Sequence, residues 1–83
     1  MDKVLVKLYV PIMEEQYDVW IPINKKIYRV INLLIKALKD ISGGYYNPSK
    51  MPVLYDKETS RECNGNLTVK EANIRNGTEI ILI

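Results

Sequence analysis

The hydrophobic period of this chain changes once, from two residues to about 3.6, and that change constrains its fold most. Between Lys3 and Val10 the residues alternate. Val4, Val6, Leu8 and Val10 point one way, and Lys3, Leu5, Lys7 and Tyr9 point the other. Period two is the signature of a half-buried strand. Pro11, which has no amide proton for a ladder, marks its end or a bulge. After the polar connection Glu14-Glu15-Gln16 a second alternating run follows, with Tyr17, Val19, Ile21 and Ile23 on one side and Asp18 and Trp20 on the other. Two such runs around a short connection predict an antiparallel hairpin.

Past Pro22 the spacing becomes helical. Ile27, Val30, Ile31, Leu34, Leu38 and Ile41 recur at three- and four-residue intervals, the pattern of a helix with one buried stripe. Lys25, Arg29, Asn32, Lys36 and Lys39 fall on the opposite face, with no aromatic expected between the cations. Asn24 is the expected N-cap, and Gly43-Gly44 stops the helix. The result is a helix of about four turns, roughly 24 Å long.

The rest of the chain is built from short pieces. Residues 43–50 are loop chemistry, with Tyr45-Tyr46 expected to cover the end of the core. Met51–Tyr55 reads as a strand, Asp56–Thr59 as a turn, and Ser60–Cys63 as an extended piece beside that strand. Thr68 with Glu71 three residues on suggests a capping box opening a single helical turn. Asn76-Gly77 is a tight turn before a last strand over Glu79–Ile83. Residues 1–83 form a single domain on this reading, without repeats or a linker.

Composition removes whole classes of chemistry. The 83 residues contain no histidine and one cysteine. That excludes a Ser-His-Asp triad, a Cys-His dyad, an imidazole metal site, an internal disulfide and a CxxC pair. Cys63 has only Arg61 near it in sequence to lower its pKa, so a structural thiol is expected. Glu14 with Glu15, and Asp56 with Glu58, read as solvated acids, and Asp18 and Glu79 follow no metal-loop spacing. No catalytic residue, metal site or cofactor is expected, and the chain is read as no enzyme. No signal-peptide pattern opens it and no apolar stretch approaches membrane-spanning length, which points to the cytoplasm without membrane insertion.

The order strand, strand, helix, strand, short strand, strand resembles the β-grasp, or ubiquitin-like, fold, an α+β architecture with one helix on a mixed sheet. The run from Thr68 to Leu82 resembles the end of such domains: a capped turn presents Ile74 before the Asn76-Gly77 turn and the last strand. Lys25-Lys26-Ile27 with Val30-Ile31, Glu62-Cys63 and Ile74-Arg75-Asn76-Gly77 are similar to the YukD/EsaB family. These are small bacterial ubiquitin-like proteins associated with type VII (WXG100-type) secretion systems. The resemblance implies a non-enzymatic, protein-binding adaptor whose partner is a component of that machinery. Conjugation needs an extended C-terminal Gly-Gly tail. Here the last strand runs into Ile83, and Gly43-Gly44 is explained as a helix stop, so a non-conjugating protein is expected.

Strand alternation supplies the candidate binding surface. If Val4, Val6 and Leu8 face the helix, then Leu5, Tyr9 and Trp20 face outward. The same parity exposes Ile81 and Ile83 while burying Ile80 and Leu82, and it exposes Leu54 while burying Val53 and Tyr55. An outer face this apolar marks an interaction site, with tryptophan a frequent anchor. The expected protein-binding residues are Leu5, Trp20, Leu54, Ile81 and Ile83. The resemblance adds that Leu54 and Ile83 match partner-binding positions of ubiquitin, with Ile12 or Met13 near a third. A rival reading uses the basic helix face. Residues 25–41 carry a net +4 against +2 for the whole chain, and Lys25, Arg29, Lys36 and Lys39 could follow a phosphate backbone. Weak self-association through Ile81 and Ile83 is a third.

Overall fold

The computed structural model describes residues 2–83. Strand β1 (Lys3–Val10) and strand β2 (Glu15–Pro22) form the expected hairpin, in register from Lys3 opposite Pro22 to Val10 opposite Glu15. A 3-10 turn over Pro11–Met13 joins them, closed by Glu14 in the left-handed region at φ 52°. The polar connection is thus shorter than the sequence suggested, because Glu15 and Gln16 already belong to the ladder.

Helix α1 (Ile27–Ile41) packs Ile27, Val30, Ile31, Leu34 and Leu38 into the core. Asn24 is not its N-cap. The helix starts later, at Lys26, which makes no side-chain cap bond. Instead the amides of Ile27 and Tyr28 donate to the carbonyls of Leu67 and Gly65, at 2.8 and 3.1 Å. A distant loop thereby satisfies amide groups that a helix start leaves without partners. Ile41 shares the angular position of the buried stripe yet is largely exposed. The end of the core is filled by Tyr46, whose amide donates to the Ser42 hydroxyl at 2.9 Å. Gly43 and Gly44 take positive φ and stop the helix as expected.

Strands β3 (Leu54–Asp56), β4 (Arg61–Glu62) and β5 (Glu79–Leu82) complete a mixed sheet in the order β2-β1-β5-β3-β4. β5 runs parallel to β1 and antiparallel to β3. The Thr68–Glu71 box closes reciprocally: the Thr68 amide donates to Glu71 Oε1 at 2.9 Å, and the Glu71 amide to Thr68 Oγ1 at 3.1 Å. The segment is a capped turn rather than a helix, with the Ala72 amide bonded to the Thr68 carbonyl. It seats Val69 and Ile74 in the core.

One parity is reversed. Leu54 is fully buried, whereas Val53 and Tyr55 are only half-buried. Leu54 stands opposite Leu82, and antiparallel partners point to the same side, so the inward Leu82 requires an inward Leu54. Three apolar residues in a row, Val53-Leu54-Tyr55, hold no alternation from which to read this. Leu54 is therefore core, and it leaves the set of outward binding residues.

Candidate functional site: the outer face of the sheet

Cross-strand register orders the outward residues into rows. At one end Trp20 stands beside Leu5. The next row is Asp18, Lys7 and Glu79, and Lys57 Nζ lies 3.4 Å from Glu79 Oε1. The third row is Gln16, Tyr9, Ile81 and Tyr55. Beyond it Val53 and Ile83 exchange two backbone hydrogen bonds of 2.8 and 3.0 Å, which carries the β3–β5 ladder one pair further. The middle row alternates in charge, acid, base, acid, base. The face is thus two apolar patches separated by a charged belt, rather than one continuous surface.

The patch at the Leu5–Trp20 end is small. Trp20 is 62% exposed and Leu5 half-buried, with a hollow of about 320 Å³ between them and the Asn76-Gly77 turn. Asn76 fixes that turn, since its Oδ1 accepts the Leu5 amide at 2.8 Å.

The patch at the other end is larger, because the loops add to it. Ile83 is 62% exposed and Ile12, on the 3-10 turn, 71%. Met13 packs partly against the core, so the first loop contributes Ile12 alone. Tyr45 and Met51 are exposed on the loop after α1, and with Ile12 and Ile83 they rim an open groove of about 730 Å³. Tyr46 lies buried under it, and burial raises its phenol pKa. The pair Tyr45-Tyr46 is therefore split between surface and core. Sequence reasoning did not find this groove. Its signal was apolar side chains, Tyr45 and Met51, within a stretch otherwise rich in Gly, Pro, Asn and Ser.

A third depression, of about 880 Å³, lies between the β3–β4 hairpin and the capped turn. Several of its polar groups are occupied locally. Asp56 Oδ1 accepts the Glu58 and Thr59 amides, Glu71 caps Thr68, and Arg75 Nε donates to Asn73 Oδ1. Cys63 lies on its wall with its thiol pKa pushed up to about 11, first by burial and then by the Asp56 and Glu62 carboxylates. That is the reverse of nucleophile activation. Among the described residues no group of His, Cys, Asp and Glu could hold a metal ion.

Arg29, Lys36 and Lys39 are exposed on α1, whereas Lys25, expected on the same helix face, lies ahead of the helix, where it too is exposed and its carbonyl accepts the Val69 amide at 3.1 Å. An aromatic does stand among them, contrary to the sequence reading: Tyr28 is exposed, with the Arg29 guanidinium 5.7 Å from its ring centroid. The helical stripe left Tyr28 beside the cations and outside the core.

No protein-family model and no curated protein matches the chain. Solved structures do. The ubiquitin-like domain of EccD5 from Mycobacterium xenopi aligns with a TM-score of 0.82 at 17% identity, covering 100% of this chain and 94% of that one. The chain has the ubiquitin-like fold. The ubiquitin-like domain of the Mycobacterium tuberculosis type VII secretion protein ECCD1 aligns at 0.78 with 13% identity, covering 100% and 99%. A ubiquitin from Caldiarchaeum subterraneum aligns at 0.73 with 13% identity, covering 98% and 91%. The ubiquitin-like fold of this chain thus carries an outer sheet face with two separate apolar ends. No helix among the described residues is long and apolar enough to cross a membrane.

Proposed function

We propose that this chain is a non-enzymatic, cytoplasmic ubiquitin-like adaptor that binds another protein, in the manner of the YukD/EsaB proteins, as an accessory component of a bacterial type VII secretion system. The observation that carries the binding role is the larger outer patch. Tyr9, Tyr55, Ile81 and Ile83 adjoin Ile12, Tyr45 and Met51 across three strands and two loops. The loop after α1 enlarges this apolar surface instead of covering it. Patches of this kind on a small domain mark protein contacts. The secretion association is supported by the likeness to two EccD ubiquitin-like domains.

The test uses the purified chain and purified cytoplasmic domains of type VII secretion components. Ile81→Glu and Ile83→Glu should remain folded by circular dichroism and lose a partner that the parent chain binds. Undiminished binding by both folded variants overturns the patch as the site.

The rival reading, nucleic acid on the helix face, is favoured by Tyr28 and Arg29 lying together among exposed cations. Titration with single-stranded DNA or RNA separates the two: a steep loss of affinity with salt supports it, and no binding at low salt removes it.

A further inference from the structure

We propose that the free edge of β2 is a strand-addition site for an extended, basic segment of another protein. In the sheet order β2-β1-β5-β3-β4 this strand is outermost, with one side paired to β1. It is eight residues long, against two for β4 at the opposite edge. The Ile23 amide donates to the Asp2 carbonyl at 2.9 Å, which continues the β1–β2 register. In an antiparallel ladder, residues alternate between facing the partner and facing away. Ile21, Val19 and Tyr17 therefore bond to β1, while the backbone groups of Trp20, Asp18 and Gln16 point off the sheet. The other side of β1 agrees, since Leu5 and Lys7 bond to Gly77 and Thr78. Pro22 occupies the next outward position, where its missing amide proton breaks no bond and limits further pairing.

Side chains and charge choose the occupant. From Leu8 to Asn24 the chain carries Glu14, Glu15 and Asp18 and no cation. A second copy pairing through this edge would bring these carboxylates together, and a pairing centred on Asp18 would set two aspartates opposite each other. Long edge strands are commonly protected from self-pairing by such charge. A basic strand meets no such penalty. Asp18 is also the end of the alternating row Asp18, Lys7, Glu79, Lys57, and among the described residues Lys57–Glu79 is the row's single ion pair. A cation opposite Asp18 continues the alternation, and an apolar residue two positions away lies opposite the exposed Trp20. The fitting segment is extended, with Lys or Arg and an apolar side chain at i and i+2. Main-chain bonds would hold it and these two side chains would select it.

The edge binds through the outward backbone of Gln16, Asp18 and Trp20, whereas Ile81 and Ile83 of the larger patch lie on the far side of β1, so the two readings are tested at different residues and fail separately. Trp20 is the single tryptophan and reports on the edge directly. The probe is a capped peptide of about seven residues, the usual strand length, of threonines with one lysine and one leucine two places apart. A second peptide carries glutamate for lysine. The lysine peptide should change Trp20 emission saturably and shift the Gln16, Asp18 and Trp20 amides, with the glutamate peptide about threefold weaker. Asp18→Lys should reverse that preference. Gln16→Pro, which removes an outward amide proton and no bond to β1, should weaken binding about fivefold with the fold retained. Ile81→Glu should leave the titration unchanged. The proposal is overturned by no saturable change at millimolar peptide, by equal binding of both peptides, by loss of binding in Ile81→Glu, or by sedimentation showing self-pairing that Gln16→Pro abolishes.

Discussion

Leu54 and Tyr55 are neighbours in the chain and belong to opposite worlds. Leu54 faces the helix side with Leu82 and is sealed from water, while Tyr55 faces outward with Ile81 and Tyr9. The inner side of the sheet is one connected apolar core under α1. The outer side is cut by a row of four charges into two smaller apolar areas. The same kinds of residue hold the fold together on one side and remain available for contact on the other. The difference is whether α1 and the 65–74 segment cover them.

The sharpest way to break this comparison is to truncate one residue on each side. Leu54→Ala should cost about 2–5 kcal/mol, the range for a buried leucine, and Leu54→Asp should not fold. Ile81→Ala and Ile83→Ala should cost markedly less, and Ile81→Glu should mainly abolish partner binding. Urea unfolding checks the ranking, and equal losses on both sides would erase the distinction. Thr68→Ala should cost about 1 kcal/mol by opening the capping box that seats Val69 and Ile74.

Cys63 probes the boundary between covered and open surface. Its thiol pKa rises from an ordinary 9.0 to about 11 in the fold. The folded state therefore holds the proton more tightly than the unfolded state. That contribution is complete below pH 9 and disappears as pH rises through about 11. At pH 8 iodoacetamide should alkylate the native chain slowly, and unfolding should raise the thiolate fraction roughly a hundredfold. A native rate equal to that in denaturant would show the thiol to be open. The smallest expected effect is on Glu79→Gln, which removes the exposed Lys57 ion pair and should change stability by under about 1 kcal/mol.

Much of the fold was legible because period and punctuation are local. Alternation in β1 and β2, the helical stripe of α1, the stop at Gly43-Gly44 and the Thr68–Glu71 box each depend on residues a few positions apart. The helix start was misread because its amides are satisfied by Leu67 and Gly65, some forty positions away. Of the expected binding residues, Trp20 and Ile83 are exposed, Leu5 and Ile81 are half-buried, and Leu54 is core. The groove rimmed by Ile12, Tyr45, Met51 and Ile83 was not foreseen, since those residues come from three separate segments.

By itself, then, the sequence determined which elements form and which side of β1, β2 and β5 is apolar toward the helix. Side-chain periodicity follows from backbone geometry alone. Only the tertiary structure decided the facing of β3, the division of the outer face by the Asp18, Lys7, Glu79, Lys57 row, and the open edge of β2. These are properties of register and strand order, and register is set by which strands lie side by side.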